Sequence, residues 1–254
     1  MKQAHTSFFV ISLTLLMFVS LTSFSQNTNE TQTDTIIYKQ KYGLRLGVDI
    51  SKPVRSFIDD DYTGIEIMGD YRLTQTIYLA GELGTEERTN TTDYLDVTAK
   101  GSYLKAGFDY NFYKNWLDME NMMYGGFRVG VSSFSQTLNS FTVYNTDQYY
   151  NTDPSSTEYD FNDPIEFKGL SAIWAELIIG LKAEIFNNVY VGANVQLKGR
   201  ITEDKPENFA NLYIPGFNKV FDSGRFGIGF GYNISYLVPI YKKDKKVMVE
   251  TTEE

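Results

Sequence analysis

From Tyr42 the chain alternates strictly between apolar and polar or small residues. Tyr42, Leu44, Leu46, Val48 and Ile50 fall on one face, and Gly43, Arg45, Gly47 and Asp49 on the other. A period of two specifies a β-strand. The same alternation returns at 65–73, 77–84, 95–112, 123–131, 173–185, 189–200 and 226–238. In the fourth segment Leu95, Val97 and Ala99 sit on the opposite parity from Leu104, Ala106 and Phe108. A bulge near 100–102 reconciles the two halves. The pattern therefore predicts an all-β fold, a closed up-and-down antiparallel transmembrane β-barrel of about eight strands.

Connection lengths orient this barrel. With the start of the first strand in the periplasm, the inner connections are 74–75, 113–121 and 186–188, all brief. The outer ones, 51–62, 87–93, 135–169 and 201–223, are mostly longer. Short periplasmic turns, long outer loops and an even strand count are the outer-membrane pattern.

Periodicity alone leaves open whether the apolar face meets lipid or, as in a soluble lipocalin-like barrel, an internal ligand. The other face carries Arg45, Arg72, Lys105, Arg128, Lys182, Lys198, Arg200 and Arg225. It also carries Asp49, Glu66, Asp70, Glu82, Glu86, Asp109, Glu176 and Glu184, so the two signs balance. A solvated surface has no reason to balance its charges. A closed lumen does, because an unpaired ion out of water is strongly destabilising. These residues are the expected lumen charge network, with interleaved glycines leaving room for long side chains. Tyr42, Tyr71, Tyr110, Phe112, Tyr236 and Tyr241 are the expected inner aromatic girdle.

The first residues change the picture of destination. Lys2 opens a polar start, Phe8 to Leu21 is largely apolar, and Ser23-Phe24-Ser25 offers small residues for cleavage. The run is too short for a spanning helix, which needs about 20 residues. Residues 1–25 are read as a signal peptide, 26–40 as a flexible periplasmic lead-in, 41–241 as the barrel and 242–254 as a polar acidic tail. Loss of residues 1–25 leaves 32 acidic against 22 basic residues, no cysteine and no histidine. That balance speaks against a nucleic-acid partner. It also removes disulfides, Cys- or His-based zinc sites and His-dependent nucleophiles.

Several constellations compete with bland readings. The lumen charges read first as a structural lattice, since an eight-stranded barrel is just wide enough for side chains to fill it. A proton or small-ion pathway is the alternative. Asp59-Asp60-Asp61 suits a divalent cation, although such runs are usually solvated loop tips. The connection 135–169 is rich in Asn, Asp and Tyr, which suits a glycan or protein partner. The connection 201–223 holds Phe209, Leu212, Tyr213, Ile214, Pro215 and Phe217, too apolar to stand free in water, and reads as a lid over the mouth, the alternative being a surface docked on a neighbouring subunit.

Four phrases carry a resemblance. Residues 42–49 (YGLRLGVD), 105–112 (KAGFDYNF), 135–140 (SQTLNS) and 211–218 (NLYIPGFN) resemble an uncharacterised outer-membrane barrel family of the Bacteroidetes type, a domain of unknown function. The similarity spans about 38–242. It implies the barrel fold and the outer membrane, and it supplies no catalytic or binding residue. Residues 231–236 are similar in spacing to signals read by the barrel-insertion machinery.

The expectation is a non-enzymatic outer-membrane barrel with an envelope-structural or loop-mediated binding role, needing no cofactor and no metal. Its partners are outer-membrane lipid, the insertion machinery and a glycan or protein at the outer loops. The alternatives are a narrow pore or transport component, a membrane-embedded hydrolase and a soluble periplasmic lipocalin-like binder.

Overall fold

The computed structural model describes residues 33–93, 95–113, 120–141, 164–206, 209–221 and 224–250. The expected signal peptide lies outside them. Contacts divide the chain into two compact units, Met1–Ile37 with Lys246–Glu254, and Tyr38–Lys245. In the first unit only the ends of two strands are described. The second holds the barrel.

Eight long strands close in the order β1-β10-β7-β6-β5-β4-β3-β2. They are β1 (Thr33–Asp49), β2 (Tyr62–Arg72), β3 (Ile77–Thr92), β4 (Leu95–Asn111), β5 (Met122–Phe141), β6 (Ile165–Phe186), β7 (Val189–Glu203) and β10 (Phe226–Glu250). A two-stranded hairpin, β8 (Tyr213–Ile214) with β9 (Asn218–Lys219), lies in the connection before β10. One helix, α1 (Ser51–Ile58), follows β1. The strand pairings among the described residues are antiparallel, so closure leaves no free sheet edge along most of the wall.

The alternation places apolar side chains outward. On β6, Leu177, Ile179 and Leu181 are exposed while Glu176, Ile178 and Lys182 between them are buried. The contrast is sharpest at the adjacent pair Ile178, 3% exposed, and Ile179, 72% exposed. On β4 the outward apolar run spans 104–112, the length a membrane-crossing strand needs. Above it the outward positions turn charged, as in the Lys100–Glu87 and Lys168–Glu166 pairs. The strands thus continue past the apolar belt at the end that carries α1 and the long connections, the loop end.

Several expectations need correction. Residues 33–40 and 242–250 are strand, not lead-in and tail. Thr33, Thr35, Ile36 and Ile37, with Val247 and Val249, supply β-branched residues that a reading by polarity overlooks. The β4–β5 register runs unbroken through 100–102 and shifts at Asp96/Val97. No bulge reconciles the two parities, because Val97 and Ala99 face inward with Tyr103 and Lys105, all of them buried. Tyr42, expected in the girdle, is 2% exposed: its ring stacks on Tyr241 at 5.3 Å and lies under the Arg72 guanidinium at 4.7 Å.

α1 was expected as loop. Pro53 stands in its first turn, where a missing N–H costs nothing. The Asp49 carboxylate accepts the Ser51 N–H at 2.8 Å, in place of a cap from Ile50. Ser56 Oγ accepts the Gly64 N–H at 3.0 Å and so ties the helix to β2.

Candidate functional site

The interior is filled by side chains in tiers. At the end of short turns, Lys41 donates to Asn187 and Asn188 at 2.7 and 2.8 Å and lies 3.4 Å from Glu184. Arg72 lies 3.7 Å from Glu120 and donates to the Lys41 carbonyl. The Tyr78 ring sits 5.5 Å from both Arg72 and Arg45, separating this tier from the next. It packs with Met122, Tyr124 and Ile178 in an apolar slab inside the barrel. Between the two tiers a cavity of about 10 Å³, lined by Lys41, Arg45, Arg72, Tyr78, Glu120 and Tyr190, has room for about one water.

In the middle tier Asp70 accepts both Arg45 Nε and Nη2, at 3.0 and 2.8 Å, and Lys182 Nζ at 2.6 Å. Arg128 donates to Asp109 at 2.7 Å and lies 3.5 Å from Glu82. Lys105 then gathers three carboxylates, Glu82 at 2.7 Å, Glu66 at 3.2 Å and Glu176 at 3.9 Å. Glu176 is held further by the Trp174 indole N–H at 2.7 Å and by Lys198 at 3.5 Å. All these ionic groups are buried. Out of water such ions are tolerated only where each meets opposite charge and donors. Cross-strand register does the placing: Glu82 lies opposite Lys105, and Arg128 opposite Glu176.

At the loop end the hub is Glu86, 1% exposed. Among the described residues four donors reach its carboxylate. They are Lys52 of α1, Tyr62 of β2 at 3.1 Å, Tyr213 of β8 at 2.8 Å and the Gly216 N–H at 2.9 Å. Gly216 has φ +82°, and a Cβ there would stand 2.5 Å from the Tyr103 ring, so only glycine fits. Its carbonyl accepts Lys198 Nζ at 2.6 Å. Burial favours the neutral Lys52 amine, yet the Glu86 and Glu66 charges outweigh it and hold the ammonium above its usual range. Burial and then Glu86 raise Tyr213 well above the ordinary phenol, so it stays a donor.

The β8–β9 hairpin is thus a lid. Ile214 and Phe217 are buried with Tyr103, Phe134, Leu170, Ala172 and Trp174. Gln136 pins its backbone, donating to the Ala210 carbonyl at 3.0 Å and accepting the Leu212 N–H at 3.2 Å. Buried Asn211 donates to the Asp204 carbonyl at 2.7 Å. Of the four phrases singled out in the sequence, 211–218 is the lid, 135–140 contains the Gln136 that grips it, and 42–49 and 105–112 contain Arg45, Lys105 and Asp109 of the lattice, with Asp49 instead accepting the Ser51 and Tyr232 N–H groups.

Of the expected lumen set, Arg45, Asp49, Glu66, Asp70, Arg72, Glu82, Lys105, Asp109, Arg128, Glu176, Lys182 and Lys198 are buried. Glu184 and Arg200 are half-buried at the rims, Arg200 pairing with Glu203 at 2.9 Å. Arg225 is exposed, because β10 begins at Phe226 and the side chain precedes the wall. Lys41, Lys52 and Glu120 join the lattice unannounced by strand alternation, Lys52 because it comes from a helix. Asp59 turns toward Arg88 and Arg55. Desolvation raises its carboxyl, but the Arg88 and Arg55 contacts together outweigh it and hold it below the usual range. Among the described residues no cluster of acidic side chains is arranged for a metal ion. Most of the tyrosine-rich connection, 142–163, lies outside the described residues.

Comparison with known proteins adds a family. Among solved structures the chain is similar to Ail, the attachment invasion locus protein of Yersinia pestis. Identity is 11% and the TM-score 0.38, covering 82% of this chain and 97% of that one. It is also similar to CarO2 of Acinetobacter baumannii at 8% identity and a TM-score of 0.31, covering 79% of this chain and 100% of that one. No curated protein matches the sequence. A family model described as a domain of unknown function, DUF6048, matches residues 6–243, and the chain therefore belongs to the DUF6048 family.

Proposed function

We propose that this chain is a non-enzymatic outer-membrane barrel, a sealed and rigid envelope element that offers its outer loops for binding. Residues 1–25 serve as its cleaved export signal, and the Bacteroidetes-type origin implied by the sequence resemblance is part of the same reading. One observation carries it: apolar side chains encircle the barrel while the ions pair inside under a docked lid. A soluble ligand-binding barrel needs the reverse, an apolar interior and a wetted outside. A permanent pore needs a lumen that the lattice and the lid instead fill.

Membrane fractionation followed by gel migration of unheated and heated samples tests the reading. The protein is expected in the outer-membrane fraction, with a mobility that shifts on heating. Recovery in the aqueous periplasmic fraction contradicts it. In planar bilayers the purified chain is expected to be silent. Steady single-channel currents that change when Arg128 or Glu176 is neutralised favour the narrow-pore alternative instead.

A further inference from the structure

The wall is incomplete at one place. β1 ends at Asp49, and the Ile50 N–H still reaches the Tyr232 carbonyl at 2.7 Å before the chain turns into α1. From Phe226 to Gly231, beyond the last residue of β1, the described residues of β10 pair with β7. On its other side the Asn218 amide donates to the Ile228 carbonyl at 3.4 Å. A cleft of about 550 Å³ opens beside this stretch of β10, between α1 and the lid, well within the size range of ligand sites.

Its lining mixes two environments. Gln196, Lys198, Glu66 and Asp49 reach it from the interior. Ile228 and Phe230, 73% and 67% exposed, belong to the outward belt, and Val54 and Ile58 of α1 continue that apolar surface. The lining also carries five basic side chains against two acidic ones, in a chain whose net charge is −9. Three of the five are committed, Lys52 to Glu86, Arg88 to Asp59 and Lys198 to Glu176. Arg55 shares Asp59 at 3.4 Å, and among the described residues Lys219 has no carboxylate partner. Asn90, also in the lining, has a buried amide nitrogen with no acceptor.

We propose that this lateral cleft is a binding site for an anionic amphiphile. Its alkyl chain would lie along Ile228, Phe230, Val54 and Ile58, and its carboxylate or phosphate head would meet Lys219 and Arg55. The site rests on the outer-membrane reading, since the β10 belt must face hydrocarbon for a chain to enter sideways. Apolar burial holds the tail, and the excess of basic over acidic side chains in the lining chooses the sign of the head.

Photolabelling of the full-length chain in detergent micelles tests it. The probes are a diazirine-bearing long-chain fatty acid and the matching alcohol, with diazirine-bearing phosphatidylglycerol and phosphatidylcholine as the lipid pair. Label from the anionic probes is expected to concentrate on residues 52–58 and 226–232, several-fold above the equally apolar segment 173–181. Selective label from the acid alone identifies a free fatty acid, and from phosphatidylglycerol as well an anionic lipid. Lys219→Glu is expected to lower anionic labelling about five-fold, the size of one exposed charge contact, and to leave the alcohol unchanged. Val54→Trp, on an exposed helix position, is expected to lower both. Label spread evenly around the belt of a heat-shifting sample overturns the cleft alone. So does cleft labelling indifferent to head charge and to Lys219→Glu. A sample that shows no heat shift overturns the barrel reading and the cleft with it.

Discussion

The two sides of the barrel interior are built differently. Strands β2 to β6 each contribute charged side chains that pair across strands, through Asp70, Glu82, Lys105, Arg128 and Glu176. β10 presents Gly227, Gly229, Gly231, Asn233 and Ser235 inward and no charge between Gly227 and Leu237. Lys198 and Gln196 lie against Gly229, and Phe217 against Gly227, so the glycines make room for what reaches over from elsewhere. The Asn233 amide and Ser235 Oγ have no partner among the described residues, the setting in which buried water completes hydrogen bonding. One side is locked by ions that cannot be separated without leaving a charge bare. The other has no ion pair on β10 between Gly227 and Leu237, and the wall opens beside it, where β1 gives way to α1. Closure and cross-bracing are therefore separate properties of this fold.

The sharpest way to break this contrast is Lys105→Met. It leaves Glu66, Glu82 and Glu176 crowded around an apolar side chain. A loss of about 3–5 kcal/mol is expected, as for other buried pairs broken on one side, read by urea titration of folding in lipid vesicles. Arg128→Met strips Asp109 and Glu82 of their guanidinium. It is expected to cost about 3 kcal/mol in the same titration. If either variant matches the parent, the lattice does not hold the barrel.

Glu86→Gln keeps the shape of the hub and removes its charge. A loss of about 1–3 kcal/mol is expected, concentrated in the lid. Trypsin should then cut at Lys219 or Arg225 faster than in the parent, while the heat shift persists. At the small end, Ser235→Ala is expected to change stability by less than about 0.5 kcal/mol, because its hydroxyl has no partner among the described residues. A large effect there would mean that β10 is braced after all.

Eight alternating segments were enough to read the strand count, the closure and the inward face of thirteen charges. What alternation could not reveal was where each face changes character along a strand. Above the apolar belt the inside becomes apolar, because a lid packs into it, and so Val97 and Ala99 share a face with Lys105 while their hydrophobicity suggests the other parity. Inside the belt Met122 and Ile178 form part of a slab that a rule of apolar outside, charged inside does not anticipate. Lys52 was hidden because a short helix with a proline in its first turn resembles a loop. Arg225 has the correct parity and still misses the lumen, since it precedes the first paired residue of β10. The lid was legible from its excess of apolar residues. The cleft was not, since it depends on β1 stopping short of the end of β10.

The central claim is that apolar side chains face hydrocarbon while the ions pair within. The chain has no cysteine, so single cysteines at the adjacent positions 178 and 179 can each carry a fluorophore in bilayers containing spin-labelled lipid. Ile179→Cys is expected to be strongly quenched and Ile178→Cys to be protected. Equal quenching at both positions, or the reverse order, contradicts the account.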